Sequence, residues 1–251
     1  MKTLDTFENE ASRYAPCRKL SLNAPFEWLK KGWQDYRRAP WHSLTYGAIF
    51  FAVGWLLVYS SWTNESYFLL GLFISVLFVG PALFFGLYDT SQQLELNHKP
   101  SFRHERRKAF HEMGHELMLT LILSLVFMVM LILTSTVIDI VVRPAQTLVT
   151  AVVPMSDVAF YYVAATFAGL LYCANSFALP MIMDKDSDAA TAITTSLNAV
   201  WRNKSVMALW GLLILILTAI GFATALVGLV FIVPVLGYAT WHAYREAIIT
   251  S

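Results

Sequence analysis

The chain has little charge. Only 14% of its 251 residues are charged, against about 25% in an ordinary soluble domain, and 57% are hydrophobic. The formal net charge is +1, which gives no argument for a nucleic-acid partner. The chain therefore lacks the polar surface of a soluble protein, and we predict an all-α, polytopic transmembrane helical bundle whose main partner is the lipid bilayer.

Cysteines and a leader sequence are also scarce or absent. Cys17 and Cys173 are the two cysteines, and they indicate neither a disulfide framework nor a thiolate metal site. The first residues lack the apolar segment of a secretory signal peptide. We interpret residues 1–22 as a polar, mobile N-terminal tail and residues 23–251 as the membrane domain.

Long apolar runs are what the sequence has instead. A transmembrane helix needs about 20 mostly apolar residues, and four runs satisfy this directly. A fifth, Val206–His242, carries no Lys, Arg, Asp or Glu and is nearly twice too long for one span, so we predict two spans joined by a tight turn near Leu226–Gly228. The other four predicted spans are Ser43–Trp62, Tyr67–Tyr88, Leu117–Val142 and Val158–Met183, which makes six spans as three hairpins.

The distribution of Lys and Arg predicts the orientation. Seventeen of the 18 basic residues fall before the first span, in the 2–3 and 4–5 loops, or after the last span, and Arg143 alone falls on the other side. By the positive-inside rule both termini are cytoplasmic. We also expect an inner aromatic belt at the headgroup level, formed by Trp41, Tyr88, Trp210, Trp241 and Tyr244.

The chain reads as three similar units, at about 24–95, 101–186 and 188–248. Each unit begins with a cytoplasmic amphipathic helix, continues as a hairpin, and carries a proline in its second span: Pro81, Pro180 and Pro234. In the first unit Phe26, Leu29, Trp33 and Tyr36 share one helical face, which we expect to face lipid in the interface plane. The prolines predict kinks and packing positions.

The sharpest chemical motif is His111-Glu112-Met113-Gly114-His115, which matches H-E-x-x-H. Histidines at i and i+4 on a helix share a face and bind zinc, with the Glu as a general base. His104 lies seven residues earlier and extends the candidate metal set to His104, His111 and His115. The simpler interpretation is that a helix leading into the third span holds these residues by chance, because Gly114 weakens the helix. Our expectation is no cofactor and no catalytic residue, with zinc as the alternative.

Other polar residues have structural interpretations. Asn175 lies in a predicted span and needs a hydrogen-bond partner, which predicts a contact between helices. Asp184 and Asp188 follow the fourth span; Asp188 is placed to cap the next helix, and the group predicts either salt bridges to Arg37, Arg38, Arg106 or Arg107, or a divalent cation.

Several segments together resemble a known family. They are PWHSLTYGAIFFAVGWLL, VGPALFFGLYDTSQQLELNHKPS, FALPMIMDKDSDAATAITTSL and PVLGYATWHAYREAI, and over residues 24–248 they are similar to the uncharacterised proteobacterial integral membrane family called domain of unknown function 2189. The resemblance implies a bacterial inner (cytoplasmic) membrane location and no established activity. Some members are labelled as cytochrome oxidase subunits, but histidines paired within the spans are lacking here, which excludes a haem-copper catalytic subunit.

Three functional hypotheses follow. The first is a non-enzymatic accessory or scaffold module of a larger inner-membrane complex, with partners such as respiratory complex subunits. The second is a transporter or channel for a small neutral or lipidic solute. The third is a membrane metallopeptidase that uses the HEMGH motif.

Overall fold

A computed structural model describes residues 15–63, 80–102, 155–185 and 187–249, with single positions at 125, 129, 133 and 136. The described segments are helical apart from short connections and one isolated β-bridge. Their helices are α1 (Ala24–Arg38), α2 (Pro40–Thr63), α3 (Gly80–Glu95), α4 (Met155–Asn175), α5 (Ala178–Lys185), α6 (Ala189–Arg202), α7 (Lys204–Ala223) and α8 (Leu229–Ala247).

Three stretches of the described chain are long and apolar enough to cross a membrane: Pro40–Ser60, Ala165–Lys185 and Lys204–Ala223. They coincide with the first, fourth and fifth predicted spans. The second span falls partly, and the third almost wholly, outside the described residues. The sixth corresponds to α8, which is long enough at 19 residues but is not selected because its polar second half lowers its mean hydropathy. The membrane-helical class is confirmed, and the six-span count stays a prediction.

Helix α8 is the centre of the fold, and it packs most extensively against α1 and α2. Gly32 allows the backbones of α1 and α8 to approach closely: a Cβ added there would lie 2.5 Å from the Val235 carbonyl oxygen and 2.9 Å from the Ala239 nitrogen. Trp28 is fully buried on the same face, where its ring meets that of Trp210 edge-on at 5.6 Å. Small residues at such crossings let helix backbones approach closely.

This buried face of α1 lies beside the apolar stripe expected from the sequence. Tyr36 belongs to both faces and is buried, whereas Phe26 and Trp33 are 53% and 48% exposed. The periodicity of large apolar residues missed the buried face because its contact depends on Gly32 and includes a carboxylate, Asp35, that is only 4% exposed. The outward Phe26 and Trp33 are suited to lipid.

Pro234 lies within α8 and is buried. A proline has no N–H, so the carbonyl four residues earlier, that of Val230, has no helical donor from it. At that carbonyl, Gly47 of α2 packs so closely that an added Cβ would overlap it. Gly47 thus allows the α2 backbone to cover the Val230 carbonyl, which Pro234 leaves without a helical donor. Proline is tolerated in membrane helices where a neighbouring helix packs against such a freed group.

Pro180 explains the break between α4 and α5. The break falls at Ser176–Phe177, and Ser176 is the residue whose carbonyl Pro180 leaves without a helical donor. Ser196 of α6 bridges the gap, because its hydroxyl donates to the Cys173 carbonyl at 2.7 Å and accepts the Phe177 N–H at 3.1 Å. The predicted kink is therefore a two-residue break between α4 and α5, and Ser196 of a neighbouring helix supplies partners for two of the backbone groups beside it.

The turn predicted near Leu226–Gly228 is present, because α7 ends at Ala223 and α8 begins at Leu229. Its left-handed positions are Ala225 (φ 52°) and Leu226 (φ 70°) rather than a glycine. The Thr224 hydroxyl binds both sides of the turn: it donates to the Gly221 carbonyl and accepts the Gly228 N–H, each at 2.8 Å. α7 and α8 thus reverse direction over five residues.

Residues 15–22, expected within a mobile tail, instead lie against α6 and the end of α8. Cys17 forms an antiparallel bridge with Ile248, and the Arg18 N–H donates to the Ala247 carbonyl at 2.8 Å. Burial raises the pKa of the Cys17 thiol, although Arg202 and Asn198 oppose this shift. The remainder of the predicted tail, residues 1–14, is outside the described residues.

The prediction of an inner aromatic belt was largely wrong. Trp210, Trp241 and Tyr244 are at most 2% exposed, and Tyr88 is 5% exposed, while Trp41 alone of the five is outward at 77%. The Trp241 ring N–H donates to Glu95 Oε2 at 3.0 Å, so a protein carboxylate takes the place of the lipid headgroup. Trp41 and Trp62, both strongly exposed, stand about 30 Å apart along α2 at about 1.5 Å per residue, which matches the hydrocarbon thickness.

Candidate functional site

A cavity of about 430 Å³ lies among α2, α3, the α4–α5 break, α7 and α8. Its volume is within the range of about 300–1,000 Å³ typical of small-molecule sites. Along α7 it extends from Trp210 to Phe222, about 18 Å at about 1.5 Å per residue. Its walls are mainly aromatic and aliphatic, with Phe50, Phe84, Ile214, Leu229, Val233 and Leu236 among them.

The polar lining gathers toward one end of this cavity. Tyr172, Asn175 and Ser176 come from the end of α4, and Thr240 comes from the polar half of α8. At the opposite end, next to the α7–α8 turn, the lining is Phe222 and Leu229. The cavity is therefore amphipathic along its length, with an apolar end at the turn and a polar end at the helix break.

Most of these polar groups already have protein partners. The Tyr172 hydroxyl donates to the Met207 carbonyl at 2.8 Å, and the Thr240 hydroxyl donates to the Leu236 carbonyl at 2.8 Å. Within the described residues, the Asn175 amide and the Thr218 hydroxyl line the cavity without a hydrogen-bond partner. Asn175 was expected to join two helices; it offers its amide to the cavity instead.

The helix break forms part of the cavity wall through Ser176 and Leu179. Non-helical backbone at membrane depth occurs where it is buried in protein or lines a cavity, and discontinuous helices build the binding sites of many transporters. Here the Ser176 hydroxyl donates to the Tyr172 carbonyl at 2.6 Å, and Ser196 supports the other side of the break. The break is thus held in place next to the cavity.

A buried carboxylate, Asp35, joins α1 to two other helices near the polar end of α8. Its Oδ2 lies 2.7 Å from His242 Nε2 of α8 and accepts the Ser91 hydroxyl of α3 at 2.7 Å. Sequence reasoning did not select Asp35. The sequence did carry one signal for it: Asp35 follows Gly32 by three residues and Trp28 by seven, and this spacing places all three on one face of α1.

Asp184 and Glu95 form a neighbouring group around Arg245. Arg245 pairs with Glu95 at 3.1 Å and with Asp184 at 3.5 Å, and Gln92 and Tyr244 donate to the two Asp184 oxygens at 3.0 and 2.8 Å. Burial, followed by the hydrogen bond to Asp184, raises the pKa of Tyr244, so this hydroxyl remains a donor at neutral pH. The group ties α3, α5 and α8 together.

Two predicted carboxylate roles can be compared with the structure. Asp188 caps α6, because its Oδ2 accepts the Thr191 N–H at 3.0 Å, which confirms the predicted N-cap. Asp184 makes a salt bridge, but its partner is Arg245 rather than Arg37 or Arg38, both of which are exposed. Arg106 and Arg107 lie outside the described residues.

The candidate zinc residues His104, His111 and His115, with Glu112, lie outside the described residues. Elsewhere, within the ranges that the structure does describe, no group of three or more His, Cys, Asp or Glu side chains is arranged to hold a metal. Pro81 lies in α3, and the carbonyl four residues before it belongs to a segment that is not described. The zinc and metallopeptidase hypotheses stay predictions.

Comparison with known proteins gives one match. A family described as a predicted integral membrane protein, DUF2189, matches residues 68–184. This match covers residues 68–95 of the first unit and nearly all of the second, whereas the resemblance in the sequence extended over 24–248. No curated protein and no solved structure matches the chain.

Proposed function

We propose that this integral membrane protein, whose residues 68–184 belong to the DUF2189 family, binds a neutral lipidic molecule within the bilayer. The observation that carries the proposal is the elongated cavity of about 430 Å³ with one apolar and one polar end. An apolar chain fits the end at the α7–α8 turn, and a hydroxyl or carbonyl group fits the end at Asn175.

The chemistry of the lining favours a neutral ligand over a charged one. Among the described residues that line it, the polar members are amide and hydroxyl groups, and none is Asp, Glu, Lys, Arg or His. A charged ligand group in an apolar site is costly without an opposite charge or a dense set of hydrogen bonds. The free Asn175 amide offers donors to a carbonyl or hydroxyl, and Thr218 offers a further hydroxyl about one helical turn before Phe222.

The cavity favours the solute hypothesis over the accessory-module hypothesis, although the two make separable predictions. Binding of a lipidic molecule belongs to the protein alone, whereas an accessory module requires a stable protein partner. Purification from native membranes in mild detergent addresses both. A lipidic species retained in stoichiometric amount supports the cavity proposal, and a retained protein subunit supports the accessory module. Bacterial inner-membrane location and cytoplasmic termini belong to the same proposal, supported by the asymmetry of Lys and Arg.

The direct test compares isosteric variants by mass spectrometry of the extracted protein. Asn175→Leu and Thr218→Val remove the free polar groups and keep the shape, so we expect retention of the lipidic species to fall about tenfold for the buried hydrogen bonds lost. Ile214→Trp fills the cavity and should abolish retention. The matched control is Thr166→Val on the exposed face of α4.

Equal retention in the wild-type protein, Asn175→Leu and Ile214→Trp would show that the extracted lipid is bound elsewhere. That result would contradict the proposal. Thermal stability measured in parallel separates a loss of ligand from a loss of fold, because Thr218→Val and Thr166→Val make the same chemical change at a cavity position and at an exposed position.

A further inference from the structure

A second cavity, of about 360 Å³, lies between the N-terminal segment and the junction of α6 with α7. Three cationic side chains line it: Lys19 from the segment, Arg202 from the end of α6, and Lys204 from the start of α7. All three residues are exposed. Residues far apart in the sequence therefore place three positive charges at one cavity.

Among the described residues, no carboxylate pairs with these cations. In the ranges that the structure describes, the salt bridges involve His242 and Arg245, and none involves Lys19, Arg202 or Lys204. Lys204 Nζ lies 4.4 Å from the centre of the Trp201 ring, a contact that orients the ammonium group without cancelling its charge. The cavity is consequently positive and suited to an anion.

The beginning of α7 adds to this field. α7 is 20 residues long and has no side-chain cap. Its N-cap residue, Asn203, is committed elsewhere: its amide oxygen accepts the Leu20 N–H at 2.8 Å, and its amide nitrogen donates to the Arg18 and Ala199 carbonyls at 3.0 Å. The first-turn residues Lys204, Ser205 and Val206 line the cavity, and the helix start there has no side-chain cap, a feature shared by helix N-termini that bind phosphate groups.

The position of the cavity relative to the apolar surface selects the source of the phosphate. Lys204 is the first residue of a candidate membrane span, Lys204–Ala223, which places it at headgroup level. Trp201 and Leu22 stand beside it and are 72% and 61% exposed, available for contact with acyl chains. Amphipathic aromatic rings and basic residues in such positions mark the interface with anionic lipid.

We propose that Lys19, Arg202, Lys204 and the N-terminus of α7 bind the phosphate group of an anionic phospholipid. Asn203 positions this site by holding the N-terminal segment, and with it Lys19, against the α6–α7 junction. The site is independent of the apolar cavity described above, because its lining shares no residue with it. Failure of one proposal leaves the other standing.

The test uses the full chain in nanodiscs of phosphatidylcholine with a small fraction of phosphatidylglycerol, read out by native mass spectrometry of the retained lipid. The double variant Arg202→Gln/Lys204→Gln should reduce retained phosphatidylglycerol about tenfold or more. Lys19→Gln, outside the helices, should reduce it less. The control Lys30→Gln/Lys31→Gln removes the same charge from two exposed positions of α1 and should leave retention unchanged.

Three results would overturn the proposal. Equal losses in the two double variants would mean diffuse attraction to the membrane surface. Retention of phosphatidylcholine as strong as that of phosphatidylglycerol would mean that the net negative charge of the headgroup is not recognised. Binding of inorganic phosphate in detergent with the same dependence on Arg202 and Lys204, and displacement of the lipid by it, would mean that the ligand is a soluble phosphate.

Discussion

The α8 core, defined as α8 with α1 and α2, and the cavity side, defined as α4 to α7 around the apolar cavity, are packed by different rules. In the α8 core two glycines allow backbones to touch, and an added Cβ at Gly32 or Gly47 would meet a carbonyl. On the cavity side an added Cβ at Gly211 would lie 3.4 Å from the Tyr172 ring, and one at Gly169, on the exposed face of α4, would meet nothing within 4 Å. The backbone contacts of the α8 core hold the scaffold, and the cavity of about 430 Å³ leaves room for a ligand beside it.

Replacing Asp35 should lower the stability of the α8 core more than any of the substitutions that follow. Asp35→Ala leaves His242 and Ser91 without their shared acceptor, and breaking a buried, hydrogen-bonded charged group costs about 3 kcal/mol. Thermal unfolding of the detergent-solubilised protein measures the loss. Glu27→Ala is the matched control, since it removes an exposed acid from the same helix and should change stability by less than about 0.5 kcal/mol. Equal effects of the two variants would show that the Asp35 contacts contribute nothing.

A pair of glycine substitutions should sharpen the comparison by giving opposite signs. Gly47→Ala forces a methyl group into the Val230 carbonyl and should destabilise by about 2 kcal/mol through overpacking. Gly169→Ala meets open space and should stabilise by up to about 1 kcal/mol through helix propensity. The measurement is the shift in unfolding temperature of each variant. A loss at both sites would mean that the two regions are packed alike.

The helix break on the cavity side should depend on Ser196. Ser196→Ala removes the hydroxyl that serves the Cys173 carbonyl and the Phe177 N–H, at a cost of about 1–2 kcal/mol for buried groups left unsatisfied. Because Ser176 and Leu179 line the cavity, the variant should also retain less of the lipidic species. Thr194→Ala, exposed on the same helix, is the control. A loss of stability with full retention of the lipidic species would show that the helix break does not shape the cavity.

The smallest effect is expected at the cap of α6. Hydrogen bonding from Thr191 lowers the pKa of Asp188 below its ordinary value of 3.8. The ionised cap therefore contributes fully above that value, and its contribution is lost as the pH falls through the lower pKa of the folded protein. Asp188→Ala should cost about 1 kcal/mol at neutral pH, whereas Asp188→Asn should retain most of the stability and lose its acid dependence. Unfolding temperatures between pH 3 and pH 7 measure both, and an unchanged acid profile in Asp188→Asn would contradict the assignment.

Features that depend on neighbouring residues were predictable from the sequence. The apolar run that was too long for one span indicated the turn near Leu226–Gly228, and a capping residue before a helical pattern identified Asp188. The proline at 180 indicated a kink, although its full interruption required Ser196 of another helix. These predictions depend on local propensities and on hydrogen bonds within a few residues.

Features that depend on distant partners were not predictable. Asp35 appears as an ordinary polar residue of an amphipathic helix until His242, 207 residues away, is brought next to it. The inner aromatic belt failed for the same reason, since Trp241 finds Glu95 across the fold. The cavity has no sequence signal of its own, because the same apolar residues would line a closed core.

The order of α1, α2 and α8 along the chain has a consequence for biosynthesis. The first two described helices have their main partner in the last one, and residues 16–18 bond to residues 247–249 at the other end of the chain. A ribosome adding about 5–20 residues per second therefore leaves Gly32 and Gly47 without their partner surface for roughly ten seconds or more. During that time Asp35 has no His242 beside it. A nascent chain that stops before α8 exposes the surfaces that a membrane quality-control protease could recognise.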